Sequence, residues 1–281
     1  MTNVGFKLYD PNMNELKFPV GVKPLDFLVS SLEKERYTEN IKGIPGAIDY
    51  GFDYKGRGEC SLTFFLRHYH AEYDYLLLES ELNTFLDSQP YFYISRNNLP
   101  TRILKCTVDT SYKPERILGS MYGTLEVPVN ITGLPFWRTI YTTQDVEKNG
   151  YSALVEKFGM ADGVHLDYLT YTPKTNTFSI WNGGNVTIDP RHFDLSIRLL
   201  YATSKGNVTI ENLTTGEKFI FYRQFENTHL NIFGSQVLLG NTNWLRESNR
   251  KFISLVPGEN KIKVSNVEHQ GVSFDFPYYF K

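Results

Sequence analysis

A succession of short segments that alternate apolar and polar residues is the feature that most constrains the fold of this 281-residue chain. In the second half these segments recur at a spacing of roughly 8–12 residues with turn residues between them, which is typical of an antiparallel β-sandwich. One of them contains NLTTGEKF, a pattern typical of a tight hairpin. The segments are NTFSIWN, NVTIDP, FDLSIRLL, NVTIENLTTGEKFIFY, HLNIFG, QVLLGN, FISLVPGENKIKV and VSFDFPYYF.

The last two segments are predicted to close this sandwich. Pro257-Gly258 forms the turn, with Gly258 free to take a positive φ. Strand alternation places Ile262 with Val264, and Phe274 with Phe276, on common sides. We expect one inner face that contains Leu255, Ile262, Val264, Val272, Phe274 and Phe276. The outward positions are then Lys261, Lys263, Ser273 and Asp275.

The first half is predicted to be β-rich with one packed helix. In the run CSLTFFLR, Leu62, Phe64 and Leu66 share one face of a strand. YFYIS, RILKCTVDT and GTLEVPVNIT also have strand patterns. Between them, apolar residues at helical spacing predict a helix with Asp74 as its N-cap and one buried stripe. The residues of that stripe are Tyr75, Leu78, Leu82, Phe85 and Leu86.

From Leu134 the pattern loosens, and several glycines interrupt mixed polar sequence. We expect a linker over residues 136–150 and a short helix over 152–158. The domain prediction is therefore an N-terminal domain over residues 1–135, the linker, and a C-terminal sandwich over residues 151–281.

Composition excludes some classes of function. The net charge is −2, and neither half has the basic excess of a phosphate-binding surface, so nucleic-acid binding is not expected as the main function. The 20 Phe, 19 Tyr and 3 Trp residues favour strands and interfaces. Cys60 and Cys106 are expected to be reduced core thiols, with a disulfide left open. The N-terminus lacks a signal core and no apolar run is long enough to span a membrane, so we expect folding in a cytoplasm without a membrane anchor.

The sequence contains no pattern that indicates catalysis. A Gly-rich phosphate loop, a GxSxG elbow and an HExxH motif are all missing. His68 and His70 alternate on a strand and could share a metal, but a solvated loop explains them as well. Asp189 and Asp194 resemble a glycosidase pair, although Asp189-Pro190 is more typical of a turn. We therefore predict no enzyme, and no catalytic, cofactor-binding or metal-binding residue.

The aromatic clusters leave sugar binding open. Exposed aromatic rings on a concave sheet can stack on sugars, and Trp181 and Trp244 are the candidate positions. The alternative function is thus a carbohydrate-binding module that recognises host cell-wall sugar.

An ordered set of segments resembles the distal tail protein (Dit) family of siphophages that infect Gram-positive bacteria. The N-terminal set is VKPLDFLVSSLEKER, IPGAIDYG, GRGECSLTFFL, DYLLLESELNTFL, PYFYIS and LPTRILKCTVDTSYKPERI. The C-terminal set is FSIWNGGNVTIDP, VTIENLTTGEKFIF, ISLVPGENKIKVSN and VSFDFPYYF. No single segment is a sharp motif, so the specificity comes from their order along nearly the whole chain.

The resemblance implies a mainly β fold with a ring-forming N-terminal domain and a galectin-like C-terminal sandwich. The ring, usually of six copies, would join the tail-tube protein to the tail-associated lysin or tip protein. Genomic DNA would pass through the ring without specific binding. The sandwich would hold receptor-binding or other baseplate proteins, and the protein would be located in the virion tail tip after assembly in the host cytoplasm. The favoured function is therefore a structural hub that needs no cofactor.

Overall fold

The computed structural model describes residues 4–70, 72–117 and 119–281, without the side chain of Glu72. The chain divides into two compact units, Met1–Trp137 and Arg138–Lys281. Antiparallel sheets dominate both units, so the prediction of a mainly β fold is confirmed. No helix in the described ranges is long and apolar enough to cross a membrane.

Unit 1 is built on an antiparallel sheet with the strand order β2-β1-β7-β8-β10-β6-β3, and β9 pairs with β10. Strands β4 and β5 pair with each other in a separate two-stranded sheet. The elements are β1 Phe6–Tyr9, β2 Glu15–Leu16, β3 Val22–Val29, β4 Leu32–Asn40, β5 Ala47–Arg57, β6 Cys60–Arg67, α1 Glu72–Leu86, β7 Phe92–Arg96, β8 Leu99–Thr107, β9 Glu115–Arg116 and β10 Tyr122–Ile131.

The core of unit 1 follows from strand alternation. Along β6 every second residue is buried, and Leu62 and Phe64 stand opposite Val127 and Leu125 of β10. Cys60 and Cys106 are free and buried, as expected for core thiols. Burial raises the pKa of the Cys106 thiol well above its ordinary value, which makes that thiol unreactive.

Helix α1 covers one side of the unit 1 sheet. It begins at Glu72, so Asp74 lies in the first turn and not at the predicted N-cap position. The Asp74 carboxylate instead accepts hydrogen bonds from the backbone N–H groups of Tyr69 and His70, at 2.7 and 3.1 Å. These bonds lower the Asp74 pKa, that from Tyr69 most. The carboxylate thereby holds the chain in place just before the helix.

Unit 2 contains two sheets, ordered β12-β19-β14-β15 and β18-β17-β16-β13-β20, and a further pair of β11 with β21. The elements are β11 Trp137–Thr142, α2 Thr143–Phe158, β12 Thr177–Asn182, β13 Ser196–Ser204, β14 Val208–Asn212, β15 Glu217–Phe221, β16 Phe225–Phe233, β17 Gln236–Leu239, β18 Thr242–Asn243, a 3-10 turn Leu245–Glu247, β19 Gly258–Ser265, β20 Gly271–Asp275 and β21 Pro277–Phe280. NLTTGEKF forms the β14–β15 hairpin.

The closing segments of unit 2 lie on both sheets. The inner-face set Leu255, Ile262, Val264, Val272, Phe274 and Phe276 is buried. Ile262 and Val264 belong to β19, whereas Val272 and Phe274 belong to β20 of the other sheet. The Phe274 ring meets Phe178 of β12 edge to face, with centroids 5.9 Å apart. The predicted single face is therefore two facing layers, and Gly258 has the expected positive φ of 90°.

Four local expectations need correction. The predicted linker, residues 136–150, contains β11 and the first half of α2. The helix begins at Thr143, and it continues past a kink at Gly150, where φ is 77°. The segment NVTIDP makes only an isolated bridge between Ile188 and Leu255. Finally, VSFDFPYYF is two strands: β20 pairs with β13, and β21 pairs with β11.

Candidate assembly surface

The β4–β5 hairpin is the most exposed regular structure of unit 1. Its strands pair from Leu32 opposite Arg57 to Asn40 opposite Ala47, around a turn of residues 41–46. Within the described chain these strands pair only with each other, and most of their side chains are exposed. A two-stranded hairpin alone in water is marginally stable at best. The hairpin therefore depends on its contacts with the rest of unit 1.

The base of the hairpin is anchored by Arg57. Its Nε donates to the carbonyl oxygen of Pro135 at 2.7 Å, and its Nη1 donates to the carbonyl oxygen of Ser30 at 2.9 Å. Burial lowers the pKa of this half-buried guanidinium. It stays charged, because an arginine begins from a very high pKa. Arg57 thus fixes where the hairpin leaves the sheet.

The shaft of the hairpin combines aromatic rings with charges. Phe52 and Tyr54 meet edge to face with centroids 5.5 Å apart, and the Lys34 Nζ lies 4.5 Å from the Phe52 centroid. An ion pair joins Arg36 to Asp49 across the strands. Several large apolar side chains of the hairpin remain exposed: Tyr37, Ile41, Ile44, Tyr50 and Phe52. Exposed rings on an under-supported hairpin are typical of a surface that is covered in an assembly.

The helical stripe of α1 faces the sheet. Tyr75, Leu78, Leu82 and Leu86 are buried, and Phe85 is half-buried against Phe18, with ring centroids 5.4 Å apart. The opposite side of α1 carries exposed Tyr73, Leu76 and Leu77, which the sequence analysis did not single out. The run of three leucines, Leu76 to Leu78, was the sequence signal for this exposed side. Because consecutive residues point in different directions around a helix, one face can bury only part of such a run.

The two histidines considered for metal binding have different environments. His68 is buried, its ring contacts Tyr75, and its Nδ1 lies 3.0 Å from the carbonyl oxygen of His70. His70 is exposed. Across the described ranges no group of three or more His, Cys, Asp and Glu side chains is placed to hold a metal ion.

The candidate sugar-stacking tryptophans are engaged by other side chains. Trp181 stacks on Tyr168 at 5.4 Å, contacts His165 at 4.7 Å, and donates its indole N–H to the carbonyl oxygen of Gly163. Trp244 has the Arg223 guanidinium 3.6 Å from its ring centroid. No ring contact between Trp181 and Trp244 is found among the described residues. On the ring faces where these neighbours lie, a sugar could stack only by displacing them.

The carboxylates considered as a glycosidase pair are each held by protein groups. Asp189 is bound by Arg191, with the Arg191 Nε 2.9 Å from Oδ1. Asp194 accepts from Arg138 at 3.0 Å and from the Tyr279 hydroxyl at 3.1 Å. Both carboxylates are therefore engaged by hydrogen-bond donors of the protein itself.

Solved structures show what this fold is similar to. The crystal structure of SPP1 Dit (gp 19.1), described as a paradigm of hub adsorption apparatus in Gram-positive-infecting phages, matches with a TM-score of 0.68 and 13% identity, over 98% of this chain and 99% of that one. The phage P2 baseplate in its activated conformation with Ca matches more weakly, with a TM-score of 0.42 and 11% identity over 97% of each chain. No family model and no curated protein matches the sequence. The chain therefore has the fold of a distal tail protein, and the resemblance found in the sequence is confirmed at the level of fold.

Proposed function

We propose that this chain is a structural hub subunit in the tail tip of a phage that infects Gram-positive bacteria. The observation that carries the proposal is the match with SPP1 Dit along nearly the full length of both chains. In this role the chain turns over no substrate. It forms a ring of six copies that joins the tail tube to the tail-associated lysin or tip protein. DNA passes through this ring without specific binding. Unit 2 holds receptor-binding or other baseplate proteins.

Self-association through the β4–β5 hairpin fits this role. Its unpaired edges and exposed rings give a neighbouring copy both hydrogen-bonding groups and apolar surface. A contact between two different surfaces of the same chain closes into a ring when the rotation between copies allows it. The net charge of −2 suits a ring that DNA must cross without adhering.

Sedimentation of the full chain over a range of concentrations, with negative-stain images of the same samples, tests the proposal. We expect rings for the native chain. The hairpin variant Tyr50→Ser/Phe52→Ser should remain monomeric, because it loses exposed aromatic contact area. The matched control Tyr222→Ser/Phe233→Ser, which removes two exposed rings from unit 2, should still form rings.

Two results would count against this proposal. A native chain that stays monomeric at every concentration, and also when mixed with purified tail tubes, contradicts the hub function. Rings that persist in the hairpin variant contradict the hairpin as the contact between copies.

A further inference from the structure

Unit 2 contains a groove of about 550 Å³ between the edge strand β15 and residues 249–252. Its volume falls within the usual range of small-molecule sites, about 300–1,000 Å³. Glu217 and Phe252 line it together with four cationic side chains: Arg191, Lys218, Arg250 and Lys251. The groove lies apart from both tryptophans considered for sugar binding, neither of which contributes to its lining.

The wall opposite β15 is held in place by Asn249. Its backbone N–H donates to the Ile220 carbonyl oxygen at 3.0 Å, and its Oδ1 accepts from the Ile220 N–H at 3.1 Å. Its Nδ2 donates to the Lys218 carbonyl oxygen at 2.9 Å. The next residue, Arg250, has a positive φ of 54°, which is uncommon for a residue with a Cβ. The groove is thus formed in advance, which lowers the entropy cost of binding.

The cations of the groove are unequally neutralised. Arg191 is paired with Asp189, and Lys218 with Glu211 at 3.0 Å. Arg250 and Lys251 are exposed, and neither has a carboxylate partner among the described residues. Two uncompensated positive charges on a fixed wall attract an anion, and the groove confines it.

Glu217 supplies the one carboxylate of the lining. Its Oε2 accepts from the Ser254 N–H at 2.7 Å, the Ser254 hydroxyl at 2.6 Å and the Thr215 hydroxyl at 3.0 Å. These bonds fix the side chain, and its Oε1 forms no hydrogen bond with the described residues. That oxygen remains able to accept from a ligand hydroxyl. A simple anion would be repelled by it, whereas an anion that also carries hydroxyls would gain a bond.

We propose that this groove binds an anionic carbohydrate, with its acidic group at Arg250 and Lys251 and a hydroxyl at Glu217. The acidic group can be a phosphodiester or a carboxylate, because both accept charge-assisted bonds from these cations. The proposal does not depend on ring formation, since every residue of the groove belongs to one copy of unit 2.

The test is calorimetric titration of the full chain with four probes: poly(glycerol phosphate), polygalacturonate, neutral dextran and poly-glutamate. We expect binding to one or both of the first two, and little binding to dextran or poly-glutamate. Arg250→Gln/Lys251→Gln should weaken binding about tenfold or more, as the loss of charge-assisted bonds implies. The control Lys148→Gln/Lys205→Gln removes two exposed charges of unit 2 outside the groove and should leave affinity unchanged. Thermal melting of each variant checks folding, and the single variant Lys251→Gln should show the same loss to a smaller degree.

The probes also separate the possible sources of the ligand. Preference for poly(glycerol phosphate) identifies a phosphodiester as the acidic group of the ligand, and preference for polygalacturonate identifies a carboxylate. Either result supports the proposal. It is overturned if no probe binds, if poly-glutamate binds as tightly as the carbohydrates, or if the control variant loses as much affinity as the groove variant. Ring formation is read separately by sedimentation, so each proposal can fail alone.

Discussion

Replacing Leu82 by alanine should destabilise unit 1 by several kcal/mol. Leu82 lies in the middle of α1 with 0% of its surface exposed, among the other buried residues of the stripe. The change removes three carbons, which at about 0.8 kcal/mol each give roughly 2.4 kcal/mol of lost transfer free energy. Incomplete collapse of the cavity adds to this, so we expect about 2.5–5 kcal/mol in total.

The same helix provides a matched control at Leu76, six residues before Leu82. Leu76 has 63% of its surface exposed, and its replacement by alanine removes the same atoms from water-exposed positions. Alanine is also the better helix former, so Leu76→Ala should change the free energy of unfolding by about 0.5 kcal/mol or less. The difference between the two variants isolates the contribution of burial.

Hydrogen exchange followed by mass spectrometry in increasing urea measures both variants in the full chain. Peptides from unit 1 should lose protection at lower urea in Leu82→Ala, while peptides from unit 2 should not change, which makes unit 2 an internal reference. A cost under about 1 kcal/mol for Leu82→Ala, or an equal cost for Leu76→Ala, would show that the stripe is not the buried side of α1.

Three further outcomes are expected. Deleting residues 272–281 removes β21 and nearly all of β20, so unit 2 should melt or aggregate. Circular dichroism and hydrogen exchange should show that unit 1 is still folded. A truncated chain in which unit 2 remains native would contradict the closure of unit 2 by these strands. Hydrogen bonds from the backbone N–H groups of Tyr69 and His70 lower the Asp74 pKa. The stability that they contribute is therefore present above the ordinary aspartate pKa and is lost as pH falls through the lowered pKa of folded Asp74. Asp74→Asn should flatten the acid limb of a pH–stability curve. Purified chain should not degrade peptidoglycan or teichoic acid, and turnover abolished by one Asp or Glu substitution would overturn the hub proposal.

Strand alternation predicted much of the fold because burial on one face leaves a period of two in the sequence. The β6 and β10 patterns show it plainly, with every second residue buried. The β4–β5 hairpin lacks this period of two, because both of its faces are exposed along most of its length, and the polar run LEKER carries no strand pattern. The helix predicted over residues 152–158 is shorter than α2, because Gly150 interrupts the helical spacing of apolar residues. In the structure, α2 continues through Gly150 with a kink.

The groove was beyond sequence reasoning for a different reason. Its lining comes from three separate stretches, around Arg191, residues 216–220 and residues 249–252, which become neighbours only when β15 forms the edge of its sheet. None of these stretches has a distinctive motif. Likewise, the side chains that contact the Trp181 and Trp244 rings come from loops. In loops, the alternation of apolar and polar residues does not indicate which side chains contact each other.

The charges along β4 have a consequence for chains that are still free. An open strand edge is a template for fibre growth, and alternating charges are a common protection against it. β4 has both signs of charge within five successive positions, from Leu32 to Arg36, and a further carboxylate at Glu39. Because the two signs alternate, a shift of one residue in the register between two such strands changes opposite-charge neighbours into like-charge neighbours. We therefore expect the charges of β4 to disfavour misregistered contacts between free chains.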